Sequence, residues 1–206
     1  MLSDPTALIL LYFVIPIWFA AGTADWICHR ATHIEKTSGI KESFIHLIMF
    51  TEAGIPLLAA LFLEINALVI ALMIGMFLIH ELTALWDINY AITARRVSPV
   101  EQMMHSFLEI VPLMAIAGVI ALHWGQFLAL FGMGGDIADF SLGWKTVPLP
   151  YWYLSMVMGA VVLLAFVPYA EEFCRCLHAR TEPQGLDPAM PLNETKLRLG
   201  LRNDGA

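Results

Sequence analysis

The chain has 206 residues, of which 59% are apolar and only 14% are charged, and its mean hydropathy is +0.71. These values lie well outside the averages for soluble domains, so the composition indicates an integral membrane protein. The net charge of -7 argues against nucleic acid as a partner, because the chain offers no unopposed basic face for phosphates.

Five apolar runs are each long enough for a spanning helix, which needs about 20 residues. They lie at residues 6–28, 43–63, 66–90, 100–122 and 148–170. We therefore predict an all-α integral membrane fold of about five transmembrane helices, with one helical domain at 1–180. A polar cytoplasmic tail at 181–206 is expected to be loosely ordered apart from a short turn near 192–201.

The first apolar run ends in a polar stretch that contains Asp25, His29 and His33. If the helix continues to about residue 34, these three side chains share one face, because residues four apart are neighbours on a helix. Two imidazoles and a carboxylate on one stripe beside lipid are costly, which indicates a functional role.

The second and third runs are joined by a short turn at residues 64–66, so their helices are expected to lie antiparallel. Glu42 has a simple alternative explanation, since an acid favours the positive end of a helix. The ionisable residues of these two runs are Glu42, His46, Glu52, His80, Glu81 and Asp87.

The fourth run begins at Ser98-Pro99-Val100-Glu101, which reads as a capping box with proline at the first helical position. Glu101 is thereby explained as a capping residue. His105 and Glu109 follow it at four-residue steps.

A long loop at 123–147, with an interfacial segment from Phe127 to Phe131, leads to the fifth helix. Aromatic residues at 151–153 are expected to anchor that helix at the membrane interface. At its other end, Glu171, Glu172 and His178 are expected to be solvated.

Lys and Arg concentrate on one side of this topology, and only Lys145 falls on the other. Cytoplasmic loops carry such an excess, so we predict an outside N-terminus and a cytoplasmic C-terminus in a bacterial inner membrane. The basic residues that set this orientation are Arg30, Lys36, Lys41, Arg95, Arg96, Arg175, Arg180, Lys196, Arg198 and Arg202.

Four polar stretches therefore meet at the cytoplasmic ends of four helices that form a bundle. Their mixture of imidazoles and carboxylates exceeds what one tetrahedral zinc ion uses and favours two ions, with iron as the expected metal. The predicted ligands are His29, His33, His46, His80, Asp87, His105, Glu109, Asp25 and Glu52, with Arg30, Glu81 and Glu101 around them.

The stretch Asp25-Trp26, followed by His29-Arg30-Ala31-Thr32-His33, resembles the first histidine box of the fatty acid hydroxylase and sterol desaturase superfamily. That resemblance implies a membrane enzyme with a non-haem di-iron centre on the cytoplasmic side, in which His29 and His33 bind iron and Arg30 lies around them. The match covers about nine residues, and no His-x-x-His-His box follows it.

The expected function is O2-dependent hydroxylation or desaturation of a lipid or other hydrophobic substrate. The chain contains no NAD, flavin or iron–sulfur fingerprint, so a separate electron-donor protein is expected. Three alternatives remain open: a haem-binding electron carrier, a metal-ion or proton transporter, and a set of interhelical ion pairs that only holds the bundle together.

Overall fold

A computed structural model of the chain describes residues 4–181. All secondary-structure elements assigned within that range are helices. A short α5 (Trp124–Ala129) and a 3₁₀ turn (Ile34–Lys36) accompany the long helices. The predicted tail lies outside the described residues, apart from Thr181. Five helices are long and apolar enough to cross a membrane, as predicted: α1 (Pro5–Ala31), α2 (Ile40–Phe62), α3 (Ala67–Ala94), α4 (Pro99–Leu122) and α6 (Tyr151–Thr181).

The starts of three helices are fixed by side chains that cap free backbone amides. Asp4 accepts from the amide of Thr6 at 2.8 Å, and Asn66 accepts from the amide of Val69 at 3.2 Å. The predicted capping box at the start of α4 is confirmed, because the Ser98 hydroxyl and the Glu101 carboxylate each accept from the other residue's amide.

Two helices contain wider π-helical turns, Leu10–Val14 in α1 and Val161–Phe166 in α6. Such turns are rare and interrupt the regular ladder of backbone hydrogen bonds. Pro56 and Pro112 interrupt the same ladder inside α2 and α4. Four of the five long helices therefore deviate from regular α-helical geometry within their apolar parts.

Helices α2 and α3 form an antiparallel pair, α1 packs on α4, and α6 lies against α1 and α2. As a result, α1, α3 and α6 finish at the same end of the bundle at which α2 and α4 begin. We call this the site end. Its interior contains many ionisable groups although the helices are apolar outside: the buried acidic and histidine residues there are Asp25, His29, Glu42, His46, Asp87, Glu101 and Glu172.

The opposite, far end is closed by the loop between α5 and α6. The Lys145 ammonium donates to the carbonyl of Leu63 at 2.7 Å, and the amide and hydroxyl of Thr146 donate to Glu64. These two hydrogen bonds from Thr146 lower the pKa of Glu64. The loop is thus tied to the turn that connects α2 and α3.

From the sequence, the first helix was expected to continue to about residue 34, which is wrong. It ends at Ala31, and His33 adopts the left-handed conformation with φ of 51°. Thr32 ends the helix by donating its hydroxyl to the carbonyl of Cys28 at 3.0 Å. Because the chain turns away there, His33 leaves the face that Asp25 and His29 share.

Candidate metal centre

Three histidines from three helices form the centre of the site end: His29 on α1, His46 on α2 and His105 on α4. The rings of His29 and His46 stack with centroids 4.5 Å apart and planes inclined by only 7°. The ring of His105 stands edge-on to His29 with centroids 6.2 Å apart. The sequence analysis predicted all three as ligands, and the structure brings them together.

One carboxylate fixes the orientation of the two stacked rings. Glu172 of α6 lies 2.9 Å from Nδ1 of His29 through one oxygen and 2.8 Å from Nδ1 of His46 through the other. A carboxylate that accepts from one ring nitrogen sets the tautomer and leaves the second nitrogen free to bind a metal ion. Both Nε2 atoms are therefore presented on the side away from Glu172.

Carboxylates line the space that these Nε2 atoms face. His29 Nε2 lies 3.5 Å from Asp25 and 3.4 Å from Glu101, and His105 Nε2 lies 3.1 Å from the other oxygen of Asp25. These four residues offer ligand atoms that all lie within 4.8 Å of one another. Such a set of two imidazoles and two carboxylates is typical of a site for a divalent transition metal.

A second group of ligand atoms surrounds His46. Its Nε2 lies 3.5 Å from Asp87 and 4.0 Å from Glu42. His29, Glu42 and His46 offer atoms within 4.8 Å of one another, so the two groups adjoin through His29. The site therefore has enough ligand atoms for two neighbouring ions.

Several ligand atoms have no hydrogen-bond partner within residues 4–181. They are Nε2 of His29, Nε2 of His46, Oδ1 of Asp25 and Oδ1 of Asp87. Buried polar atoms are nearly always satisfied, and a role in binding an ion is one of the standard reasons for an exception. If Nε2 of His29 or His46 were protonated, it would instead donate a hydrogen bond to a nearby carboxylate.

Arg95 lies at the base of this cluster and is buried, with 2% of its side chain exposed. Its guanidinium donates to both Glu42 and Glu101. Burial alone would lower the pKa of Arg95, but the hydrogen bonds and charges of the two carboxylates raise it by more. The pKa of Arg95 therefore lies above its usual value, and the group stays protonated. Arg95 was counted among the basic residues that set the orientation, but its partners lie inside the bundle.

Negative charge exceeds positive charge in the centre. Five carboxylates and one guanidinium give a formal charge of minus four when the imidazoles are neutral. Uncompensated charge inside a membrane helix bundle costs several kcal/mol per group. The carboxylates are Asp25, Glu42, Asp87, Glu101 and Glu172, each at most 3% exposed.

Two residues of the resembling motif lie outside the cluster. His33 has 66% of its side chain exposed and lies 3.2 Å from Glu35. Burial raises the pKa of Glu35, but its backbone hydrogen bond, His33 and Arg175 together hold the pKa below its usual value. Arg30 is exposed, lies over the Trp26 ring and pairs with Glu171 at 3.4 Å.

His80 and Glu52 form a separate pair deeper in the bundle. His80 precedes Asp87 by two helical turns, or about 10 Å, so it shares that residue's face but not its level. Its Nδ1 lies 3.6 Å from Glu52, whose other oxygen accepts from Thr83 at 2.9 Å.

His80 and Glu109 line a small cavity of about 40 Å³ that reaches Asp25, His46, Asp87 and His105. Glu81 is half-buried nearby.

Glu172 and Glu42 are the buried carboxylates of this cluster that the predicted ligand set left out. Glu172 was expected at a solvated helix end, which is wrong: it is fully buried. Glu42 had a helix-end position as an alternative explanation, and it is fully buried and binds Arg95. Glu172 and Cys176 lie four apart and share a buried face of α6, but only the packing of the helix identifies that face.

Comparisons of the chain with protein-family models, with curated proteins and with solved structures find no match. The resemblance of residues 25–33 to the fatty acid hydroxylase and sterol desaturase superfamily stays a prediction from those residues.

Proposed function

We propose that the protein is a membrane-bound oxidoreductase whose site end holds two iron ions that activate O2. The observation that carries this proposal is the excess of buried carboxylates over cations. Two divalent ions supply four positive charges, which would neutralise the formal charge of minus four described above. They would also provide partners for the unsatisfied nitrogens of His29 and His46.

The ligand atoms divide naturally between two ions. One ion would be held by His29 and His105 with Asp25 and Glu101, and the other by His46 with Asp87 and Glu42. Glu172 would orient two of the imidazoles without binding metal. Mixed imidazole and carboxylate ligands suit iron, manganese or zinc, and helix bundles commonly place them in di-iron sites.

A redox role is favoured by the surroundings of the site. An apolar cavity shares His80, Leu108 and Tyr169 with the small cavity at the metal centre, so a hydrophobic substrate such as a lipid can approach from the bilayer. The resemblance of residues 25–33 to a di-iron hydroxylase and desaturase superfamily agrees with this role. Hydroxylation or desaturation of a hydrophobic substrate is the activity that we propose.

The site end would face the cytoplasm of a bacterial inner membrane. Among the described residues, basic side chains concentrate at the site end, while Lys145 lies at the far end. Burial lowers the pKa of Lys145. In this orientation a cytoplasmic electron-donor protein reaches the surface around His33 and Arg30.

The alternative functions fit the geometry less well. A haem iron needs histidines that approach from opposite sides, whereas His29 and His46 stack in parallel and share one carboxylate. A transport path needs polar groups toward the far end. The large cavity that leads there is lined mainly by apolar side chains beyond Glu52 and His80.

Metal analysis tests the proposal. Detergent-purified protein is expected to contain about two iron ions per chain and no Soret band, and His29→Ala is expected to lose most of the metal. His33→Ala is the matched control, because this exposed histidine of the same motif lies outside the cluster. A wild-type protein without transition metal, or equal metal loss in both variants, would overturn the proposal.

A further inference from the structure

A large apolar cavity runs through the membrane part of the bundle. It has a volume of about 500 Å³ and extends from Glu52 and His80 to His123 and Lys145 near the far end. Its walls come from α1, α2, α3 and α4, and most of its lining is apolar. A cavity of this size holds a ligand of several tens of atoms.

The inner end of the cavity carries two polar groups that are not satisfied. Glu52 and His80 each have 9% of the side chain exposed, and both line the cavity. Oε2 of Glu52 and Nδ1 of His80 have no hydrogen-bond partner among the residues that the structure describes. Thr83 satisfies the other oxygen of Glu52 and so fixes the direction of the carboxylate.

These two groups define the chemistry of the ligand's head. A hydrocarbon chain end would leave both of them buried and unpaired, which costs free energy. An anionic head, such as a phosphate or a carboxylate, would be repelled by Glu52 and would find no lysine or arginine in the described lining at that end. A neutral head with hydroxyl groups can donate to Glu52 and to His80.

The position of the head also places the ligand near the proposed metal ions. His80 also lines the small cavity that reaches Asp25, His46 and His105 of the metal centre. A ligand bound at His80 is therefore a close neighbour of the proposed metal ions. Trp18 and Phe77 beside the cavity offer apolar and aromatic surface for a ring and a long tail.

We propose that this cavity binds an isoprenoid hydroquinone, with one hydroxyl of the ring at Glu52 and His80 and the tail toward the far end. The binding step is independent of the metal, whereas its redox role rests on the proposed function. In that role the hydroquinone would supply electrons from within the membrane, whereas an electron-donor protein would supply them from the cytoplasm. It would become a quinone by losing two electrons, one to each of two ferric ions held at the site end, and two hydroxyl protons, which Glu52 and His80 would accept.

Hydroquinone binding to the purified full-length chain tests this. Decylubiquinol, kept reduced under anaerobic conditions, is added to detergent-solubilised protein, and quenching of tryptophan fluorescence reports binding beside Trp18. We expect saturable binding of one molecule per chain, in metal-loaded and chelator-treated protein alike. His80→Leu and Glu52→Leu are each expected to weaken it by about tenfold, the effect of one lost hydrogen bond.

Asn89→Leu is the matched control, because it removes an exposed polar group from the same helix as His80. Circular dichroism of each variant checks that the helices are retained, and palmitate is titrated in parallel. Absence of hydroquinone binding to the folded wild type, or palmitate binding that equals hydroquinone binding, would overturn this inference. Hydroquinone binding to a protein that never holds metal would support the inference and overturn only the proposed function.

Discussion

His29 and His46 come from different helices, stack ring on ring at 4.5 Å, and are held at Nδ1 by the two oxygens of one carboxylate, that of Glu172. Donation from Nδ1 to this carboxylate leaves both Nε2 atoms available as ligands, and they point at the same space. Glu172 therefore controls the ligand capacity of two histidines at once.

Replacing Glu172 tests that control. In Glu172→Gln the amide presents one acceptor instead of two, so one ring loses its fixed tautomer. Removal of an outer hydrogen-bond partner typically lowers metal affinity by about 10- to 100-fold. We expect a loss of that size in iron affinity by competition with a chelator. Glu171→Gln, on the partly exposed neighbour, is the control, and an equal effect of both changes would contradict the assignment.

Replacing Arg95 tests whether its positive charge stabilises the buried carboxylates of the site. Arg95→Gln leaves Glu42 and Glu101 buried without their cation, and breaking a buried ion pair in this way costs about 3–5 kcal/mol. We expect a lower unfolding temperature in detergent, with the deficit larger after chelation than with bound metal. Arg96→Gln removes an exposed arginine and should change neither value.

The contact between α1 and α4 can be tested at Gly118. A Cβ at this position would lie 2.7 Å from Cδ2 and 3.1 Å from Cγ of Leu10, inside the π-helical turn of α1. Gly118→Ala is therefore expected to destabilise the protein by about 1–3 kcal/mol, the usual cost of overpacking. Thermal unfolding in detergent measures it.

Two further variants separate overpacking from other effects at Gly118. Leu10→Ala combined with Gly118→Ala should recover part of the loss, since the clash is removed. Gly75→Ala, whose new Cβ would meet nothing within 4 Å, should be neutral or stabilising. An equal loss at Gly75 and Gly118 would show that close packing on Leu10 is not the cause.

The link between the far-end loop and the α2–α3 turn predicts a dependence on pH. The hydrogen bonds from Thr146 hold the pKa of Glu64 below its usual value of 4.5. Such a group stabilises the fold above that usual value and loses its contribution as pH falls through the lowered pKa. Glu64→Gln should thus lower the unfolding temperature near neutral pH and lower it less in acid.

The measurement is the unfolding temperature of both proteins from pH 7 to pH 3. Asp136→Asn, at an exposed acid of the same loop, serves as the control. A difference between wild type and Glu64→Gln that stays constant over this range would show that the carboxylate charge has no role in tying the loop.

Much of the fold could be predicted from the sequence because length and hydropathy define spanning helices directly. The capping box at Ser98 and Glu101 and the turn after α2 were equally local signals, and both are confirmed. Topology then placed His29, His46 and His105 at one end of the bundle, where the structure also has them.

The remaining parts of the site depend on features that a helical repeat does not encode. His33 left the cluster through a single left-handed backbone conformation. His80 shares a face with Asp87 but lies two turns deeper, and Glu52 also lies deeper than His46, so His80 and Glu52 meet each other instead. Glu172 and Glu171 are adjacent acids at a helix end, and only the packing of α6 shows which one is buried.

The contact between His29 and Glu172 joins residues separated by 143 positions. During synthesis, α1 through α4 can enter the membrane long before α6 exists, and until then the stacked rings have no common acceptor. Maturation of the centre is thus a late event that follows insertion of the final helix. Truncation before α6 would yield a bundle that holds most of its ligands and lacks the means to orient them.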